Sequence, residues 1–262
     1  MDISWKQIAD RVWYTVTQPH GANVVCIAGD ERAVLVDAGG SAESGGSLLS
    51  SARELAGVPL DHVIVTHHHD DHWRGLGGMD GVESIAHENV VADTDGEFQP
   101  TRTFSLALPL NLGDRFLEIV HYGPAHTRSD VVVVAQSAGV IVVGDLLESA
   151  GDPQFDETSK IGGWPQVLDA VVGASRRDTA FIPGHGDPVD REFALLASGD
   201  LAILHSTVEN LIRSGVRREQ AYEAAEEWPL SEETVRRAIP MIYDELEAEG
   251  IVPRTQLPLS SF

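Results

Sequence analysis

The run His67-His68-His69-Asp70-Asp71-His72 restricts this chain more than any other feature, because it sets imidazoles and carboxylates side by side directly after an apolar stretch that ends at Thr66. Taken alone, such a block is either a solvated polar loop or a set of metal ligands. If the backbone is extended at its start, His67 and His69 point one way and His68 the other. A turn then carries Asp71 and His72 round to a second position. Nitrogen and oxygen donors without thiolate suit zinc, manganese or iron. The only cysteine is Cys26, so neither an intramolecular disulfide framework nor a cysteine-based zinc knuckle is available.

Three further groups decide between the two readings. His126 in GPAHTRSD, Asp145 after Gly144, and His185 in FIPGHGDP each follow an apolar, strand-like run and stand beside glycines that permit tight turns and close backbone approach. His67, His69, Asp71, His72, His126, Asp145 and His185 are more ligands than one tetrahedral zinc accepts. The economical count is two ions sharing one carboxylate.

The surrounding pattern alternates strands and helices. Arg11 to Thr17, Asn23 to Ala28 and Ala33 to Asp37 read as strands of a meander, Ser41 to Ala56 as a helix stopped by Gly57 and Pro59, and His62 to Thr66 as a buried strand. A strand at Val82 to Ala86 precedes a polar stretch, Glu88 to Arg102, expected to be a surface loop. Arg115 to Val120, Asp130 to Gln136 and Val140 to Val143 restore the strand pattern, with a hairpin turn at Ser137-Ala138-Gly139. Trp164 to Val172 reads as a helix and Thr179 to Ile182 as a short strand. From Phe193 the chain is helical, with amphipathic helices predicted at Arg217 to Glu227 and Ser231 to Gly250. The expected division is a first unit over 1–192 and a helical extension over 193–262, packed on the same domain or on a second copy of the chain.

Composition narrows the function classes. A net charge of −23, from 41 acidic against 18 basic residues, opposes the phosphate neutralisation on which nucleic-acid binding depends. No apolar run approaches the ~20 residues that cross a bilayer. The N-terminal sequence lacks the basic start and apolar stretch of a secretory signal, so the expectation is a cytoplasmic protein acting on a small molecule, without membrane or nucleic-acid partners.

The H-x-H-x-D-H run, followed in order by His126, Asp145 and His185 and flanked by VLVDAGG, GPAHTRSD and PGHG, resembles the metallo-β-lactamase superfamily over about residues 10 to 190. The resemblance implies an α/β (α+β) fold, an αββα sandwich with the metal site at one edge of its two sheets. It implies that His67, His69 and His126 hold one metal, that Asp71, His72 and His185 hold another, and that Asp145 bridges them. Asp37 matches the family's early Asp and is assigned to supporting the ligands from behind. The commonest subclass of true β-lactamases carries Cys where this chain has Asp145, whereas glyoxalase II, lactonase, arylsulfatase and nuclease-like relatives keep Asp. The helical C-terminus is loosely similar to the extension of glyoxalase II, but that enzyme's basic substrate-binding phrase is missing.

The expected activity is hydrolysis of an ester, lactone, thioester or amide with two zinc ions, iron or manganese being the alternatives, and with Asp71 orienting a hydroxide nucleophile shared by the ions. Two other readings compete: an oxidoreductase like the single-iron persulfide dioxygenases of the same fold, and a metal-binding protein without turnover. Among the remaining candidates, His68 and Asp70 are read as packing or solvent-facing. Trp73 and His20 are candidate substrate-pocket residues, while His87 and His121 are read as ordinary histidines.

Overall fold

The computed structural model describes residues 3–253; residues 254–262, the end of the predicted helical extension, lie outside the described residues. A first sheet of seven strands holds β1 (Lys6–Ala9), β2 (Val12–Val16), β3 (Asn23–Ala28), β4 (Ala33–Val36), β5 (Leu60–Ile64), β6 (Glu83–His87) and β7 (Arg102–Phe104), side by side in chain order. β2 to β4 form the expected antiparallel meander, to which β1 adds a strand that was not expected. From β4 onward the pairing is parallel, which demands crossovers. The first crossover is α1 (Ala42–Ala56), started by Ser41, whose hydroxyl accepts from the Ser44 N–H, and ended at Gly57 with φ 66°. Two single helical turns, α2 (Asp70–Trp73) and α3 (Val90–Asp93), occupy the later crossovers.

The second sheet has five strands, β8 (Ala107–Asn111), β9 (Phe116–Val120), β10 (Val132–Ala135), β11 (Val140–Glu148) and β12 (Ala180–His185), in the order β12-β11-β10-β9-β8. α4 (Trp164–Gly173) makes the crossover between β11 and its parallel partner β12. α5 (Arg191–Arg213), α6 (Ala221–Ala224) and α7 (Glu232–Ala248) complete the described chain. Among the described residues, no helix is long and apolar enough to cross a membrane.

The layering follows from the two-residue period of the strands. Val25 and Ile27 of β3 meet Leu117 and Ile119 of β9 and Val140 and Val142 of β11 between the sheets. The intervening residues Val24, Cys26 and Ala28 pack outward under Leu48, Leu49 and Ala52 of α1. On the far side, Ile141 and Val143 face Trp164 and Leu168 of α4, Leu204 and Val208 of α5, and Ile239 and Ile242 of α7. The result is the αββα sandwich, with the C-terminal helices sharing one apolar cluster with the outer face of the second sheet.

Two expectations fail locally, and one edge strand was not foreseen. The stretch from Glu88 to Arg102 contains α3 and sends Val90 and Phe98 into a small core with Trp73, so it is more than a surface loop. Edge strand β8 escapes the periodicity because its residues are mostly exposed and include Pro109, which an edge tolerates. The predicted helix Arg217 to Glu227 is only a 3₁₀ turn at Arg218–Gln220 followed by α6, and Ala225 is already extended. Trp228 folds back to donate to the Tyr222 carbonyl, and Pro229 follows it.

Because Leu204 is completely buried in the cluster shared by α4, α5, α7 and the sheet, Leu204→Ala should cost about 2–5 kcal/mol. Denaturant unfolding should still show one transition. A separate early transition confined to helical signal would show that the extension unfolds on its own.

Candidate metal centre

The candidate ligands arrive from strand ends. Beyond β5 the chain remains tied to both sheets, with Val65 N–H donating to Ile85 O and Val131 N–H donating to Thr66 O. It then leaves the sheet through His67 and His68 to His69, which is extended (φ −67°, ψ 141°) immediately before α2. The extended start and following turn match the sequence reading, and α2 carries Asp71 and His72. His126 comes from the β9–β10 connection. Asp145 follows a kink in β11 at Gly144, where φ is +55°. His185 is the last residue of β12. A side chain at Gly184 would place its Cβ 1.7 Å from Asp145 Oδ1, so only glycine leaves that carboxylate its room.

Donor atoms converge closely. His67 Nε2 and His126 Nε2 each lie 3.1 Å from His69 Nδ1, and both lie 3.6 Å from Asp145 Oδ2. Tetrahedral zinc with bonds of about 2.0–2.1 Å sets its ligands about 3.3 Å apart, which these spacings bracket. Across Asp145, His72 Nε2 approaches Oδ1 at 3.3 Å. His185 Nε2 lies 3.3 Å from Asp71 Oδ2 and 3.7 Å from Asp145 Oδ2. His67, His69, His126 and Asp145 therefore form one potential metal-binding group, and Asp71, His72 and His185 form another.

The opposite ring nitrogens show what these atoms carry. His126 Nδ1 is 3.0 Å from Gln154 O, His69 Nε2 is 2.7 Å from Asp156 Oδ2, and His72 Nδ1 is 2.8 Å from Asp37 Oδ2. Each partner can only accept, so each of those nitrogens donates. Thr66 Oγ1 gives its proton to Asp37 Oδ2 and accepts from His67 Nδ1. In the neutral rings, the inward nitrogens of His67, His69 and His126 are bare lone pairs turned toward one another and a carboxylate. His72 Nε2 and Asp145 Oδ1 are buried without a hydrogen-bond partner, their 3.3 Å approach being misaligned. Such an arrangement is repulsive until a cation enters.

A sequence model described as the metallo-beta-lactamase superfamily matches residues 17–186, well over half of the chain. The chain belongs to this superfamily. It is 33% identical over 179 residues to metallo-beta-lactamase domain-containing protein 1 of Xenopus laevis, covering 64% of this chain and 71% of that protein. It is 32% identical over 151 residues to a hydroxyacylglutathione hydrolase of Xanthomonas euvesicatoria, covering 55% of this chain and 52% of that enzyme. The chain thus spans only about half the length of the latter relative. The fold is shared with a metallo-beta-lactamase from Pontibacter korlensis at a TM-score of 0.68 and 22% identity, over 76% of this chain and 99% of that one.

Electrostatics divide this superfamily site in two. Burial pushes His126 down to about 4 against the pull of Asp145, and burial with neighbouring His72 holds His67 well below the usual histidine range. Burial also opposes charge on His72 and His185, yet carboxylates prevail: Asp145 and Asp37 lift His72, while Asp71 and Asp145 raise His185 to about 9. Asp71 stays below its ordinary value despite burial, through its hydrogen bond to His185 and the proximity of His72.

Sequence reading missed Asp156 and Glu148. Asp156 receives His69 Nε2–H and is itself held by the Thr158 N–H and hydroxyl and the Ser159 N–H. The D-x-T-S spelling signals such a turn, but not which histidine it meets. His68 also faces this side, with Nε2 3.4 Å from Asp156 and Nδ1 3.9 Å from Asp93. Asp70 pairs with Arg74 on the surface. Trp73 is corrected as a pocket residue: it stacks on Phe98 at 5.0 Å and donates to His68 O, because its apolar ring finds a core beside α2. His20 stays exposed near Gly40 and Asp71, at the rim. His87 and His121 stack on each other at 3.9 Å and bond backbone carbonyls.

Two outcomes follow from this geometry. Gly184→Ala should abolish metal retention, read by elemental analysis, while circular dichroism remains that of the parent; full metal content would show that Asp145 can shift. Since coordination requires neutral imidazole, a cation entering the Asp71, His72 and His185 group at pH 7 must displace the protons held by both His72 and His185. Its affinity should therefore rise with pH toward about 9. Calorimetry in buffers of different ionisation enthalpy should register the released protons, and heats independent of buffer would contradict this.

Proposed function

We propose that this protein is a hydrolase that works with two divalent cations, one held by His67, His69 and His126, the other by Asp71, His72 and His185, with Asp145 serving both. The observation that carries the reading is the convergence of imidazole nitrogens on the two oxygens of Asp145, Oδ2 toward His67 and His126 and Oδ1 toward His72. The three-nitrogen group suits zinc. When bound, such cations supply an acidified water as nucleophile and polarise the substrate's electrophilic carbonyl.

The chain's own residues supply position and proton handling. Asp71 is partly exposed, remains ionised at neutral pH, and turns Oδ2 toward His185 and His72. It is thereby placed to orient the attacking water and accept its proton. Asp156 and the Gln154 carbonyl keep His69 and His126 in the tautomers that face inward. Similarity to hydroxyacylglutathione hydrolase makes thioesters the first substrate class to test, followed by lactones, esters and β-lactams. The charge of −23 favours neutral or weakly charged substrates over polyanions.

Metal content of protein purified without added metal tests the reading. About two zinc ions per chain, reduced in His69→Ala, together with hydrolysis of one of these classes, is the expected result. Asp71→Asn should lower kcat about 10²–10⁴-fold. One iron per chain, with oxygen consumption on a persulfide, would replace hydrolysis by oxidation. Bound metal with no turnover on any class would leave a binding protein.

A further inference from the structure

Glu148 stands next to the centre and has no role in the scheme above. It closes β11, and parallel pairing sets it opposite His185, while Gly144 lies opposite Pro183. Three residues separate Gly144 from Glu148 where only Gly184 separates Pro183 from His185 on β12. This bulge brings together Asp145 and Glu148, which a regular strand would turn to opposite faces. Ligand atoms of Asp145, Glu148 and His185 lie within 4.8 Å of one another.

Among the described residues, one oxygen of this carboxylate finds no hydrogen-bond partner. Glu148 Oε1 is buried without a hydrogen bond, as are Asp145 Oδ1 and His72 Nε2. Among the described residues no Lys or Arg forms an ion pair with Glu148. A buried, unmatched carboxylate oxygen is costly unless a cation or a proton satisfies it. His72 Nε2, fully buried and 3.3 Å from Asp145 Oδ1, likewise has no hydrogen-bond partner.

We propose that Glu148 is an additional oxygen ligand to the cation held by Asp71, His72 and His185, making that position oxygen-rich and selective for manganese or iron(II) over zinc. The inference rests on the two-cation reading. With Glu148 the position offers two imidazole nitrogens and three carboxylates, from Asp71, Asp145 and Glu148, a set that suits five- or six-coordinate ions. The His67, His69 and His126 position offers three nitrogens and one carboxylate, which suits tetrahedral zinc. The protein is then a mixed-metal enzyme, zinc on one side of Asp145 and a harder ion on the other.

The test titrates the metal-free full-length chain with Mn²⁺ alone, with Zn²⁺ alone, and with both at equal concentration, read by calorimetry, elemental analysis and Mn²⁺ electron paramagnetic resonance. The parent should take one zinc and one manganese from the mixture. Glu148→Gln should weaken the manganese about 10–100-fold and leave the zinc affinity of the first position within about twofold. Glu148→Asp should fall between them, which a merely structural role would not produce. Equal manganese affinity in parent and Glu148→Gln overturns the inference and leaves the two-cation reading intact. If Glu148→Gln does not fold, the parent's mixture decides: two zinc ions taken in the presence of equal manganese overturns it. A parent that binds a single ion sinks the two-cation reading and this inference together.

Discussion

The carboxylate of Asp37 is the contact on which the rest of the centre depends. One oxygen accepts from the Thr66 N–H, and the other accepts from the Thr66 hydroxyl and His72 Nδ1. Through Thr66 the same carboxylate sets the tautomer of His67. Asp37 ends the β4 segment with φ +66°, a left-handed conformation that aspartate tolerates better than most residues. Its N–H donates to Ile64 O at the end of β5. One residue thus joins two adjacent strand ends and orients two inward-facing histidines.

Asp145 plays the complementary part on the second sheet. It is nearly fully buried, yet it is held well below the ordinary carboxylate range because His72, first among its histidine neighbours, outweighs the cost of burial. Room for it comes from Gly184 on β12 and from the kink at Gly144, whose Cβ would strike Thr66 at 2.9 Å. The first sheet brings His67, His69, Asp71 and His72, and the second brings His126, Asp145 and His185. The site therefore exists only when the sandwich is closed. The apolar layer between the sheets, from Val25 and Ile27 to Leu117 and Val142, supplies that closure by burying surface that neither sheet can cover alone.

Polar groups behind the ligands divide the labour differently on the two sides. His69 and His126 are steered by the loop after β11, through Asp156 and the Gln154 carbonyl. His67 and His72 are steered by Asp37 from the first sheet. The segment following β11 thereby controls half of the centre while also carrying the backbone that Glu245 of α7 grips at Ile161 and Gly162. Through that grip the C-terminal helices are mechanically continuous with the loop behind the ligands.

Much of this was legible in the residues. The His67 to His72 run, the glycine-flanked His126, Asp145 and His185, and the period-two strands pointed to the layers and to the cluster, because ligand chemistry and strand alternation are local properties. Asp156 and Glu148 were not legible. Asp156 meets His69 across 87 positions, and Glu148 shares a side with Asp145 only because β11 bulges against β12. Trp73 reads equally as a pocket wall or as core until Phe98 is placed against it. The sequence by itself determined which donors exist and which strands hold them. Tertiary structure alone decided which lone pairs meet, which carboxylates lie behind them and which oxygens are left without a partner, since those depend on distances between segments that no local pattern encodes.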